Sequence, residues 1–113
     1  VDGQGRTPDQ VDPALRQKFY DMNAIALRND SLRGNDVSRP VAAAAQLADL
    51  TLPVLIVMGD LDEEYIHRAS AFMEANIAGA QKVVMHGTSH LPNMEFPAEL
   101  NAHVQAFLDR VNL

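Results

Sequence analysis

A chain of 113 residues with 47% apolar and 21% charged side chains has the composition of one globular domain, or of part of one. Fifteen acidic residues against nine basic ones give a net charge of −6 with no Lys/Arg cluster, which argues against nucleic-acid binding. The absence of cysteine excludes disulfides, thiolate metal sites and a cysteine nucleophile within the chain. The longest apolar run, 52–58, falls far short of the ~20 residues that a membrane span needs.

The chain opens at Val1 without an initiator methionine and without a secretory pattern. Together with the missing cysteines this sets two expectations: a cytoplasmic, reducing environment, and origin from something longer.

Residues 1–12 read as loop, punctuated by Gly3, Gly5 and Pro8. Asp12 followed by Pro13 signals a helix start, because Asp can cap and Pro suits the first turn. Leu15, Phe19, Met22 and Ala26 then recur on one face of a helix to about Arg28. Residues 29–40 are rich in Asn, Asp, Ser, Gly and Pro and read as a loop or hinge, followed by a short Ala-rich helix at about 41–49.

Val54-Leu-Ile-Val-Met58, between Pro53 and Gly59, is apolar at every position and predicts a strand buried on both faces of a parallel sheet. Asp62-Glu-Glu64 opens the next helix with acidic residues in its first turn, where the dipole favours them. Its stripe is Ile66, Ala69, Phe72, Met73 and Ile77, with Gly79 as the stop. A second strand, 82–86, leads into the loop Gly87-Thr-Ser-His-Leu-Pro92. A last helix starts at Pro97, with Leu100, Val104, Phe107, Leu108 and Val111 as its apolar positions. Strand, helix, strand, helix is an α/β unit with parallel strands. Two such strands cannot cover their own edges, and the helix at 13–28 needs a surface for its stripe. The chain is therefore expected to complete its core with a missing N-terminal part or by self-association.

In parallel sheets, ligands bind at the carboxyl ends of the strands. The first strand ends in Gly59-Asp-Leu-Asp62 and the second leads to His90, so a carboxylate and an imidazole are expected on one rim. Such a pair suits general-base catalysis: the carboxylate fixes the tautomer through one ring nitrogen and the other takes a proton. The residues alone leave Asp60 and Asp62 both open as that carboxylate, and Asp62 open also as a helix N-cap. Asp60, Glu63 and Glu64 place negative charge around Asp62, which works to raise carboxyl pKa values. His86 and His90 are four apart but on a strand and its loop, so no metal site is expected. Glu95 is expected to tie down the His90 loop by hydrogen bonds to backbone.

Pro53-Val-Leu-Ile-Val-Met-Gly-Asp-Leu-Asp62 resembles the last-but-one strand of the α/β-hydrolases, with its Gly-x-x-Asp ending. Gly87-Thr-Ser-His90 and Glu95-Phe-Pro97 resemble that family's histidine turn and the start of its final helix, in both type and spacing. The resemblance covers roughly residues 47–111 and implies that 47–113 is the C-terminal part of the hydrolase core. By position, residues 1–46 fall where such enzymes carry the end of a helical lid, preceding the core with one or two lid-type helices. It also implies that Asp62 is the triad acid and His90 the general base, selecting Asp62 over Asp60, with no cofactor and no metal.

One departure is large. No Gly-x-Ser-x-Gly elbow occurs, and Ser31, Ser38, Ser70 and Ser89 all lack glycines at the right offsets. In the family's chain order the nucleophile precedes the acid, so it would lie upstream of Val1 and the chain alone would be inactive. The resemblance implies a small-molecule substrate: an ester, a lactone, an epoxide or a carbon–carbon-bonded diketone. Leu91-Pro-Asn-Met-Glu-Phe-Pro97 resembles the corresponding segment of enol-lactonase, perhydrolase and ring-cleavage-product hydrolase relatives. Two other readings stand beside it: a non-catalytic ligand-binding protein of the same fold, and a small association module.

Overall fold

The computed structural model describes residues 2–30 and 42–111. After a short 3-10 turn at Pro8–Gln10, helix α1 runs Pro13–Asp30. A second 3-10 segment, Ala43–Asp49, precedes strand β1 (Leu55–Gly59), helix α2 (Glu64–Asn76) and strand β2 (Gln81–Met85). A single turn, α3 (Pro92–Glu95), then leads to helix α4 (Pro97–Val111). The architecture is mixed helix and strand around a two-stranded parallel sheet, compatible with the α/β class.

Local chemistry accounts for most of the boundaries. Asp12 caps α1 as expected, its Oδ1 accepting from Ala14 N at 2.7 Å and Leu15 N at 3.2 Å. That helix runs through Asn29 and Asp30, two residues read from sequence as loop; the rest of the expected hinge, 31–40, lies outside the described residues. The Ala-rich segment forms a 3-10 rather than an α-helix, with no side-chain cap at its start. Both strands lie one residue from their expected ends, because a ladder is set by its partner: Leu55 pairs with Gln81 and Gly59 with Met85. Helix α2 starts later than expected, with Glu63 at the N-cap position. Asp62 therefore does not cap it; the backbone N–H its Oδ1 accepts from is that of the adjacent Glu63, at 2.8 Å.

The core gathers on this strand–helix–strand unit. Ile56, Met58 and Met85 from the sheet and Ile77 below α2 are buried, with Phe107 of α4 and Val11 of the N-terminal segment. The buried face of α2 passes through Ser70, whose hydroxyl donates to His67 O at 2.9 Å and to Met58 Sδ at 2.8 Å. Phe72, assigned from sequence to that face, is 48% exposed.

Two surfaces keep apolar or hydrogen-bonding capacity. In α1, Tyr20, Met22, Ile25 and Leu27 are between 54% and 73% exposed, and of the expected stripe Leu15 and Phe19 are half-buried while Met22 and Ala26 are exposed. In β1, Gln81 N donates to Val54 O at 2.9 Å and Asp60 N to Met85 O at 3.0 Å. In a parallel ladder alternate residues face the same neighbour. Even-numbered β1 residues thus turn to β2, while Leu55 and Val57 turn their backbone groups to the opposite edge, where no third strand lies among the described residues. No described helix is long and apolar enough to cross a membrane.

Candidate active site

The turn after β1 is stitched to the loop after β2. Asp60 N reaches Met85 O at 3.0 Å and Leu61 N reaches Thr88 O at 3.0 Å, while Asp62 N folds back on Gly59 O at 3.4 Å. Gly59 permits this closeness, since a Cβ there would stand 2.3 Å from Thr88 O and 2.5 Å from Ser89 O. Gly87, at φ +74°, supplies the left-handed turn by which the chain leaves β2.

These two turns bring Asp62 and His90 together. His90 Nδ1 lies 3.0 Å from Asp62 Oδ2 and 3.2 Å from Oδ1. The carboxylate is 6% exposed and the imidazole 60%, so the carboxylate is dry and the imidazole is reachable. An ionised carboxylate only accepts, so Nδ1 carries the proton and Nε2 keeps its lone pair. Nε2 meets no hydrogen-bond partner among the described residues. Both residues line a cleft of about 320 Å³ with Met58, Ile66, Ser89 and Leu100. A larger groove, about 650 Å³, lies between the N-terminal segment and α1 and contains neither of them.

A second aspartate–histidine pair stands on the same rim. His86 Nδ1 is 2.9 Å from Asp60 Oδ2, and Gly87 N donates to Asp60 Oδ1 at 2.8 Å. The His86 contact, aided by Gly87 N–H against the opposing effect of burial, holds the Asp60 carboxyl below its ordinary value. The His86 ring is 86% exposed, and neither residue lines the cleft.

Glu95 ties down the His90 loop as expected: its Oε1 accepts from Ser89 N at 3.1 Å and from Thr88 Oγ1 at 2.7 Å. Sequence reasoning missed its third partner. Arg6 approaches Glu95 Oε2 at 2.6 Å through Nη1 and Oε1 at 3.3 Å through Nη2. Burial works to raise the Glu95 carboxyl, but the Arg6 guanidinium, Ser89 N–H and Thr88 hydroxyl outweigh it and leave it below its ordinary value. The signal for Arg6 was faint: one cation in a Gly-rich turn, with no periodicity to aim it.

Of the four serines, Ser31 and Ser38 lie outside the described residues. Ser70 is buried in the core against Met58, and the Ser89 hydroxyl accepts from His90 N at 2.5 Å. Among the described residues, no group of three or more His, Asp or Glu side chains converges on a metal position.

No family model matches the chain, and no solved structure matches it either. The chain is similar to the pimeloyl-acyl-carrier-protein methyl ester esterase of Yersinia enterocolitica, with 30% identity over 79 residues. That stretch is 70% of this chain and 31% of the esterase, so the match spans about a third of the relative's length. The likeness supports a relation at the level of the α/β-hydrolase superfamily.

Proposed function

We propose that this chain is the C-terminal part of a cofactor-free α/β-hydrolase and supplies the acid and the base of its catalytic triad. The observation that carries the reading is the buried Asp62 carboxylate holding His90 Nδ1 at 3.0 Å beside a cleft at the strand ends. The similarity to a methyl ester esterase favours an ester or lactone over an epoxide or a diketone as substrate.

In this reading a nucleophile from a part of the enzyme upstream of Val1, a serine by the usual chain order, attacks the carbonyl carbon. Its proton passes to His90 Nε2, and Asp62 stabilises the imidazolium that forms. Collapse of the tetrahedral adduct breaks the bond to the leaving oxygen, which takes the proton from Nε2. Water then repeats the sequence on the acyl intermediate, with Nε2 again as base, and releases the acid. Asp60 and His86 hold the turn and take no part. The uncovered β1 edge and the exposed α1 side chains are where the remainder of the enzyme, or a second copy, would seat.

The test is His90→Ala in the protein carrying the upstream residues, with a short-chain ester as substrate. Turnover should disappear while circular dichroism stays unchanged. Turnover that survives would remove His90 from the mechanism. Covalent capture of a fluorophosphonate by the same protein would identify the nucleophile as a serine.

A further inference from the structure

We propose that residues 2–6 form a strap that fixes the distance between Asp62 and His90, with Arg6 and Glu95 as its positioning residues. Its kinetic consequence rests on the hydrolase reading; its structural consequence does not.

The strap touches both turns of the site. Gln4 N donates to Leu61 O at 2.7 Å, one residue before Asp62. Arg6 Nη1 donates to Gly87 O at 3.1 Å, and the Arg6–Glu95 pair reaches the Ser89 N–H, one residue before His90. Gly3 sits wedged between these contacts at φ +79°, and a Cβ on it would stand 2.6 Å from both Leu61 O and Ser89 Cβ. A single stretch of backbone thus fills the space between the immediate neighbours of the acid and the base.

The strap is itself anchored. Arg6 Nε donates to Asp2 O at 2.5 Å, and the Asp2 carboxylate takes a bidentate contact from Arg16 of α1 at 2.7 and 3.0 Å. Side-chain exposures of 13% for Arg6 and 6% for Glu95 keep that pair largely out of solvent. The planar guanidinium suits this position because it serves Glu95, Gly87 O and Asp2 O at once. An ammonium on a flexible stem presents no such fork.

A purely stabilising salt bridge predicts only a lower melting temperature when Arg6 is changed. A strap predicts a change at His90 within the folded protein. The experiment compares the full chain with its Arg6→Ala, Arg6→Lys and Gly3→Ala variants, following the His90 Nδ1 proton by NMR at a temperature where each is folded. Arg6→Ala should shift or broaden that proton, Arg6→Lys should restore it in part, and Gly3→Ala should act like Arg6→Ala without removing a charge. In the protein carrying the upstream residues, kcat for an ester should fall roughly 10- to 100-fold, since misplacement of about 1 Å can cost that much, with KM moving much less.

An unmoved Nδ1 proton in the folded Arg6→Ala and Gly3→Ala proteins overturns the strap. Should Arg6→Ala not fold, an unmoved proton in Arg6→Lys and Gly3→Ala overturns it equally. A wild-type protein that cleaves no ester, but whose Nδ1 proton still answers to Arg6, sinks the hydrolase reading and leaves the strap standing.

Discussion

Gly59 and Thr88 meet backbone to backbone: the α-carbon of one lies so close under the carbonyl of the other that a methyl group between them would stand 2.3 Å from the oxygen. The neighbouring contact, Ser89 O at 2.5 Å, is also backbone, so no flexible side chain can yield. Gly59→Ala should therefore force the two turns apart at a cost of about 1–3 kcal/mol, the usual range for overpacking. The urea midpoint should fall with its slope unchanged. An unaltered midpoint would show that the turns can separate freely.

Met85 is fully buried at the end of β2, whereas Phe72 leaves 48% of its surface in solvent. Met85→Ala should cost about 2–5 kcal/mol through lost contacts and the cavity left behind. Phe72→Ala should cost much less, since little of its burial is lost. Equal losses at the two positions would contradict the packing of the sheet against α2.

Asp62→Asn replaces a pure acceptor with a group that can donate to His90 Nδ1, driving the ring proton onto Nε2 where the base needs its lone pair. If the proposed triad holds, kcat for an ester in the protein carrying the upstream residues should fall by roughly 10⁴-fold, as it does when a triad aspartate is so changed. Asp60→Asn should leave most activity, because its partner His86 faces solvent and lines no part of the cleft. Steady-state rates of the two variants separate the roles, and similar losses would reopen the choice of acid.

Among the described residues four carboxyls are held below their ordinary values: Asp2 by the hydrogen bond from Arg16, Asp9 by that from Thr7, Asp60 by that from His86, and Glu95 by its Arg6, Ser89 and Thr88 donors against burial. When such a group is depressed in the folded state, the unfolded chain takes up its proton first as the pH drops. The stabilisation is thus fully present above the ordinary values of 4.5 for Glu95 and 3.8 for the aspartates, and fades as the pH falls through the folded ones. Chemical denaturation between pH 6 and about 3 should show stability decreasing with acid. In Glu95→Gln the decline should be shallower.

Strand β1 was readable because its apolar run is continuous between Pro53 and Gly59, although the ladder extends to include Gly59. The rim followed from the sheet: once parallel strands are granted, Asp62 and His90 must fall at the same end. Glu95 was readable as a short-range tie, seven residues from Thr88 and six from Ser89. The turn at Pro92–Glu95 was missed because four residues show no period. The stripe of α1 states a need for burial, which the described residues meet in part at Leu15 and Phe19 and not at Met22 and Ala26. Arg6 was invisible because its partner lies elsewhere in the chain, and nothing local to Gly5-Arg6-Thr7 records that.

The same separation bears on how the molecule assembles. Arg6 and Glu95 are 89 positions apart, and Gln4 and Glu63 are 59 apart, whereas the Asp62–His90 contact spans 28. Closing the longer loop carries more chain entropy, and contacts of high sequence separation slow folding. The unit from β1 to α4 needs neither long closure to pair its strands, so Asp62 and His90 can find each other before the N-terminal segment arrives. Refolding should then proceed in order, with the sheet formed first and the rim locked afterwards by residues 2–6.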